Sequence, residues 1–104
     1  MTLYIVSRHP TTVDFLSEIL GKWEDNIIVM DHLDSTDSIP LGAKVAGNLP
    51  LTMIAELVNK RRCTFYYVSV EIQREMRGKE LDFETLKKYA KIYKINRISL
   101  EQVY

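Results

Sequence analysis

The sequence predicts one small α/β domain, built on a mostly parallel sheet of about four strands with helices on both faces. Short apolar runs rich in strand-forming residues alternate with segments whose apolar residues recur at helical spacing, in the order β-α-β-β-α-β-α. Strands that alternate with helices in this way are typical of parallel sheets covered on both faces. The 104 residues suffice for one modest core, so we expect a single domain over residues 1–104.

The first strand and helix are predicted from residues 3–23. Leu3–Val6 is a short apolar run that predicts a buried strand. Thr11 or Thr12 is expected to cap the following helix, which should fray near Gly21. The inward stripe of this helix is expected to comprise Val13, Leu16, Ile19, Leu20 and Trp23.

The middle of the chain adds two strands and a second helix. Ile27–Met30 and Lys44–Gly47 predict strands, and the polar segment 31–41 between them predicts a loop. Asn48 can cap the next helix, with Pro50 in its first turn, where a missing N–H costs nothing. Its inward stripe is Ile54, Leu57 and Val58.

The last third of the chain begins with Thr64–Val70, the clearest strand pattern in the sequence. Arg74–Leu81 predicts a charged loop, and Asp82 is expected to cap a last helix. The tail, 95–104, has apolar residues without a clear period, so it predicts either an edge strand or a dimer arm. The inward positions of the last helix are expected to be Phe83, Leu86, Ala90 and Tyr93.

Three polar segments are predicted to meet at one edge of the sheet, because ligands of such sheets bind beyond the carboxyl ends of the strands. Ser7, Arg8 and His9 directly follow the first strand, and the helix after them should point its Thr11 and Thr12 N–H groups to the same edge. A guanidinium, a hydroxyl, an imidazole and a helix N-terminus together outline an anion site. Alternatively, Arg8 pairs with a carboxylate such as that of Glu71, and His9 is an ordinary surface residue.

The other two segments at this edge are Gly47–Pro50 and the loop 74–81. Glycine allows a ligand or another backbone to approach closely, although the segment is equally an ordinary strand exit with an asparagine cap. The loop carries Arg74, Arg77 and Lys79 close to Gly78, an arrangement that suits a phosphate clamp, since guanidinium grips phosphate oxygens bidentately. Alternatively, the loop is a solvated charged segment.

Composition excludes several classes of function. Fourteen basic residues balance fourteen acidic ones, so an anion site must be local, and neither duplex nucleic acid nor a membrane is an expected partner. The single cysteine cannot form an intramolecular disulfide, which fits a reducing cytoplasm. The N-terminus lacks the pattern of a signal peptide, and no apolar stretch approaches the roughly 20 residues that span a bilayer.

Residues 31–34 contain side chains that can bind metal. The chain has only two histidines and one cysteine, which is too few for a convergent set of ligands, so no metal or other cofactor is expected. His32 is therefore predicted to be a hydrogen-bonded structural residue.

Five short motifs occur in an order that resembles a known family. They are Arg8-His9, His32-Leu33-Asp34, Gly47-Asn48-Leu49-Pro50, Ala55-Glu56 and Arg77-Gly78-Lys79-Glu80-Leu81. Over residues 3 to about 90 the chain resembles a small CRISPR-associated family of type III loci, the Csx-sixteen family, whose members are ring nucleases. Members carry Thr where Ser7 stands, Gly-Asp where Gly42-Ala43 stands and Thr where Asn48 stands.

The resemblance implies a Rossmann-like, CARF-related domain that degrades cyclic oligoadenylates, the second messengers of type III effector complexes. Cyclic tetra-adenylate is the expected substrate. A homodimer is expected, since a two-fold symmetric ring fits a site built across a two-fold axis. The alternatives are a protein that binds the ring without cutting it, as a sponge or sensor, and an interaction subunit that binds no ligand.

Such a ring carries its own nucleophile, the 2′-OH, so the enzyme need only align it and stabilise charge on phosphorus, without a metal. The products are a 2′,3′-cyclic phosphate and a 5′-OH. His9 is the expected proton-transfer group, because imidazole titrates at roughly pH 6.5. Arg8 and Arg77 would hold phosphate oxygens, and Ser7 and Asn48 would bind the ribose or a non-bridging oxygen. The remaining predicted ligand-binding positions are Pro10, Thr11, Gly47, Leu49, Pro50, Arg74, Gly78, Lys79 and Glu80.

Overall fold

The computed structural model describes residues 1–71 and 81–104. The predicted charged loop lies almost wholly outside these residues. The same holds for the predicted ligand contacts of Arg74, Arg77, Gly78, Lys79 and Glu80, which therefore remain predictions.

A five-stranded sheet forms the centre of the domain. Its strands are β1 Thr2–Val6, β2 Asn26–Met30, β3 Lys44–Gly47, β4 Thr64–Val70 and β5 Ala90–Ile95. The spatial order is β2-β1-β3-β4-β5, with the first four strands parallel and β5 antiparallel to β4. The predicted α/β class and mostly parallel sheet are confirmed, with one strand more than predicted.

Helices cover both faces of this sheet. Helix α1 is Pro10–Leu20, α2 is Leu51–Ala55 and continues as a π-helical turn over Glu56–Lys60, and α3 is Phe83–Tyr89. Helices α1 and α3 lie on one face and α2 lies on the other. Two 3-10 turns, Gly21–Trp23 and Thr36–Ser38, complete the described helical segments.

Each face of the sheet has its own apolar core, because successive side chains of a strand point to opposite faces. In β1, Ile5 packs under α1 and α3, whereas Val6 packs under α2. Phe15 of α1 and Phe83 of α3 meet edge to face, with ring centroids 6.2 Å apart. The predicted inward stripe of α2 is confirmed, as its members are almost fully buried: Ile54, Leu57 and Val58.

The start of α1 differs from the prediction. Neither Thr11 nor Thr12 caps the helix; His9 is the N-cap residue and Pro10 is the first helical residue. Proline suits this position, because its fixed φ is already helical and the first N–H would have no helical partner. Trp23 was wrongly placed in the inward stripe, since α1 ends at Leu20 and the Trp23 side chain is 89% exposed in the following turn.

The C-terminal segment also differs. Asp82 caps α3 as predicted, its carboxylate accepting the Thr85 N–H at 2.8 Å, but the helix ends at Tyr89. Ala90 and Tyr93 were predicted to be inward helical positions and instead belong to β5. Pairing with β4 satisfies a row of backbone groups that a longer helix would leave open on that strand. The tail 95–104 was predicted to be an edge strand or a dimer arm; only Ile95 belongs to a strand, and 96–104 has neither helix nor strand.

The strand order creates a crevice above the centre of the sheet. The chain leaves β1 towards α1 on one face, and it leaves the adjacent β3 towards α2 on the other. Because the two connections diverge, the carboxyl ends of β1 and β3 are left uncovered between them. Open α/β sheets bind their ligands at such a topological switch point.

Candidate functional site

A cleft of about 340 Å³ lies at this switch point. It is bounded by the segments that follow β1, β2 and β3, so three distant parts of the sequence meet there. Of the predicted site residues, Pro10, Thr11 and Gly47 are adjacent to the cleft in sequence but do not line it. The lining residues are Val6, Ser7, Arg8, His9, Thr12, Asp31, His32, Leu33, Asn48, Leu49 and Pro50.

The segment after β1 is held by backbone hydrogen bonds on both sides. The Ser7 N–H donates to the Met30 carbonyl at the end of β2, at 2.9 Å. The Ser7 hydroxyl oxygen accepts the His9 N–H at 3.1 Å, and the His9 carbonyl accepts the Val13 N–H in the first bond of α1. The turn is thereby fixed by backbone groups and the Ser7 hydroxyl, which leaves the exposed side chains of Arg8 and His9 available to a ligand.

The segment after β1 brings a positive side chain, Arg8, to the cleft. Arg8 forms no ion pair with any carboxylate in 1–71 or 81–104, Glu71 included. Helix α1 has no side-chain cap among the described residues, and the N–H groups of Thr11 and Thr12 lie at the positive end of its dipole. A guanidinium beside an uncapped helix N-terminus is an arrangement that binds phosphate or carboxylate.

The segment after β3 forms the opposite wall. Gly47 has φ +136°, and a Cβ there would overlap the carbonyl oxygen of Val6, so glycine is needed for the close approach of β3 to β1. Asn48 does not cap α2, because the helix begins at Leu51 with Pro50 as its N-cap residue. The exposed Asn48 amide thus lies in the cleft without a capping role, with both a donor and an acceptor to offer.

The segment after β2 contributes two groups that the sequence analysis did not place at the site. Asp31 and His32 line the cleft, and His32 Nε2 lies 3.1 Å from Asp34 Oδ1. His32 was predicted to be a hydrogen-bonded structural residue; its side chain is 56% exposed and lines the same cleft as His9. The available signal was positional, since Asp31 directly follows a predicted strand and so had to lie at the same sheet edge.

The described part of the chain has neither a cluster of metal ligands nor a helix that could span a membrane. No group of three His, Cys, Asp or Glu side chains is close enough to hold a metal ion within 1–71 and 81–104. Across those same residues, every helix is too short or too polar to cross a membrane.

Comparison with known proteins places the chain in a family. No curated protein and no solved structure matches it. Residues 4–99, nearly the whole chain, match a family model described as "Putative CRISPR-associated protein (Cas_VVA1548)". This match agrees with the CRISPR association that the sequence motifs imply. The chain therefore belongs to the Cas_VVA1548 family of CRISPR-associated proteins.

Proposed function

We propose that this CRISPR-associated protein binds a cyclic oligoadenylate and linearises it, thereby switching off type III CRISPR antiviral signalling. Cyclic tetra-adenylate is the proposed substrate. The observation that carries the proposal is the convergence of Ser7, Arg8, His9 and Asn48 on one cleft at the switch point of the sheet. The resemblance to the ring-nuclease family supplies the substrate class.

The proposed reaction is a transesterification in which the ring provides the nucleophile. A 2′-oxygen forms a bond to the adjacent phosphorus while the bond from phosphorus to the 5′-oxygen breaks. The 2′-OH loses a proton and the 5′-oxygen gains one. The products are a 2′,3′-cyclic phosphate and a 5′-OH, and no water is consumed. Alignment of the hydroxyl and stabilisation of the phosphorane charge are sufficient for catalysis, so the proposed cleavage is independent of metal.

The cleft residues fit these requirements. Arg8 is exposed beside the N-terminus of α1 and would hold the non-bridging phosphate oxygens. His9 would transfer a proton to or from a reacting oxygen. The Ser7 oxygen already accepts the His9 N–H, so its own hydrogen remains available to donate to a ribose or phosphate oxygen. Asn48 would bind the ribose from the opposite wall, and Arg77 is proposed as a second phosphate contact on the basis of the sequence.

The size of the cleft supports a homodimer. Its volume of about 340 Å³ is at the lower end of the range of small-molecule pockets, about 300–1,000 Å³. A ring of four nucleotides needs a considerably larger volume than that. Two copies related by a two-fold axis would double the site and match the symmetry of the ring. We therefore propose that the carboxyl ends of the strands of two subunits face one shared cleft.

The decisive experiment is incubation of the pure protein with cyclic tetra-adenylate and cyclic hexa-adenylate, followed by chromatography. The first ring-opened product has the same mass as the ring, so it must be resolved by retention rather than by mass. Reaction in water enriched in heavy oxygen should leave this product unlabelled, because the 2′-OH and not water attacks. A parent protein that binds the ring tightly and returns it uncut after hours would instead be a sponge or sensor.

A further inference from the structure

The chain has two histidines, and the structure brings both to the same cleft although 22 residues lie between His9 and His32 in the sequence. His9 enters from the segment between β1 and α1, and His32 enters from the segment after β2. The adjacency follows from the parallel pairing of the two strands, in which Val6 lies opposite Met30. Only His9 was expected to have a chemical role.

We propose that His32 is a second proton-transfer group of this site, the general base that deprotonates the 2′-OH, and that Asp34 positions it. The inference rests on the proposed function. In an in-line displacement the attacking and leaving oxygens lie on opposite sides of phosphorus, so a single imidazole cannot serve both. Two imidazoles that line one cleft from different loops can act on opposite sides of a bound phosphate.

The geometry around His32 assigns its role. Its Nε2 lies 3.1 Å from Asp34 Oδ1, within ion-pair distance of the carboxylate. In a neutral imidazole that keeps its proton on Nε2, the nitrogen next to the carboxylate, the lone pair lies on Nδ1, which is then the acceptor for a substrate proton. A carboxylate that holds an imidazole in one tautomer and orientation is the arrangement that general-base histidines use. The His32 side chain is 56% exposed, so substrate can reach it.

His9 takes the complementary role. Its backbone is the N-cap residue of α1, and its side chain makes no cap hydrogen bond and no ion pair with a described carboxylate. In the balanced step, the 2′-oxygen gives its proton to His32 as the new P–O bond forms. His9 gives a proton to the 5′-oxygen as the old P–O bond breaks. Exchange with solvent then returns both imidazoles to their starting states.

Substitution of the leaving oxygen separates the two roles. We would compare cyclic tetra-adenylate with the same ring carrying sulfur in place of the bridging 5′-oxygens, since a thiolate leaves without a proton. Single-turnover rates and ring affinity would be measured for the parent, His9→Gln, His32→Gln and Asp34→Asn. The matched control is Asp37→Asn, which removes an exposed carboxylate from the same loop but outside the cleft.

We expect His32→Gln to lower the rate by about 10²–10⁴-fold on both rings, the usual range for acid–base catalysis, with affinity almost unchanged. His9→Gln should cut the oxygen ring more slowly than the parent does, and its cleavage rate should return towards the parent rate on the sulfur ring. Asp34→Asn should lower the cleavage rate on both rings, as His32→Gln does, and Asp34→Glu should restore part of that rate. Asp37→Asn should cut both rings at the parent rate. His32 and Asp34 are more than half exposed, so their variants should fold, which thermal unfolding checks.

The inference is overturned if His32→Gln cuts at the parent rate, or if its loss is explained by weaker ring binding. Recovery of His32→Gln on the sulfur ring would also overturn it, because that result makes His32 the acid. A parent protein that leaves both rings intact refutes the proposed function itself. That outcome is distinct from a parent that cuts while His32→Gln cuts equally well.

Discussion

Replacement of Gly47 by alanine should be the most damaging single change at the cleft. Gly47 ends β3, pairs with Val6 at the end of β1 and has φ +136°. An added Cβ would overlap the Val6 carbonyl oxygen and lie within 3.1 Å of the Val6 carbonyl carbon. Because Val6 directly precedes Ser7 and Arg8, any shift that relieves the overlap also displaces the proposed phosphate contacts.

Two penalties determine the magnitude. A backbone conformation reserved for glycine costs about 1–3 kcal/mol in any other residue. Separating the two strands by roughly 1 Å to admit the methyl group costs about 1–3 kcal/mol more. The combined loss of about 2–6 kcal/mol is a large part of the total stability of a small domain, about 5–15 kcal/mol. We therefore expect Gly47→Ala to unfold far more readily than the parent, or to fail to fold.

Gly42→Ala is the matched control. Gly42 also has positive φ, at +75°, but a Cβ there meets no described atom within 4 Å. It should lose only the conformational term, about 1–2 kcal/mol. Urea unfolding followed by circular dichroism gives the free energy of unfolding of each variant. If Gly47→Ala and Gly42→Ala unfold at the same urea concentration with equal m-values, the close approach of β3 to β1 has no energetic weight and the reasoning is refuted.

The remaining predictions concern chemistry, assembly and charge. Arg8→Ala should weaken ring binding and cleavage together, whereas His9→Ala should lower the single-turnover rate by about 10²–10⁴-fold with little change in affinity; a parent rate in His9→Ala would remove His9 from the chemistry. Cleavage should persist in excess EDTA, and activity that vanishes with chelator and returns with manganese or magnesium would contradict the mechanism. Sedimentation should show a homodimer, and a monomer at tens of micromolar with ligand present would count against the shared cleft. Lys44→Met should cost about 1–3 kcal/mol, because it leaves the Glu24 carboxylate, 4% exposed, with only the N-terminal ammonium of Met1 nearby, 3.9 Å away. The hydrogen bond with Glu24 raises the pKa of Lys44 above its ordinary 10.5, so this stabilisation is complete below that pH and lost as pH rises through the raised value. Urea unfolding from pH 8 upwards should therefore show the gap between parent and variant closing only in strong alkali, and a gap that is constant with pH would contradict the assignment.

Local sequence determined the elements whose signals are short-range. The apolar runs predicted β3 and β4 at the bounds observed, Lys44–Gly47 and Thr64–Val70. The Asp82 cap was also predicted correctly, because a capping hydrogen bond joins residues only three positions apart. The parallel arrangement followed from the alternation of strands and helices, and this arrangement alone predicted that Ser7–His9 and Asn48 lie at one edge of the sheet.

The tertiary structure decided the features that depend on neighbours distant in sequence. Residues 90–95 satisfy both a helical and a strand pattern, and the open edge of β4 selects the strand. The sequence alone predicts only that Asp31 and His32 belong to a polar loop. The pairing of β2 with β1 places them in the same cleft as His9. From the sequence, Gly47 could allow the close approach of either a ligand or another backbone segment. A Cβ at this position would overlap the Val6 carbonyl oxygen, so it is the neighbouring backbone that requires glycine. In each case the deciding contact joins separate strands, and side-chain periodicity carries no information about which strands will be neighbours.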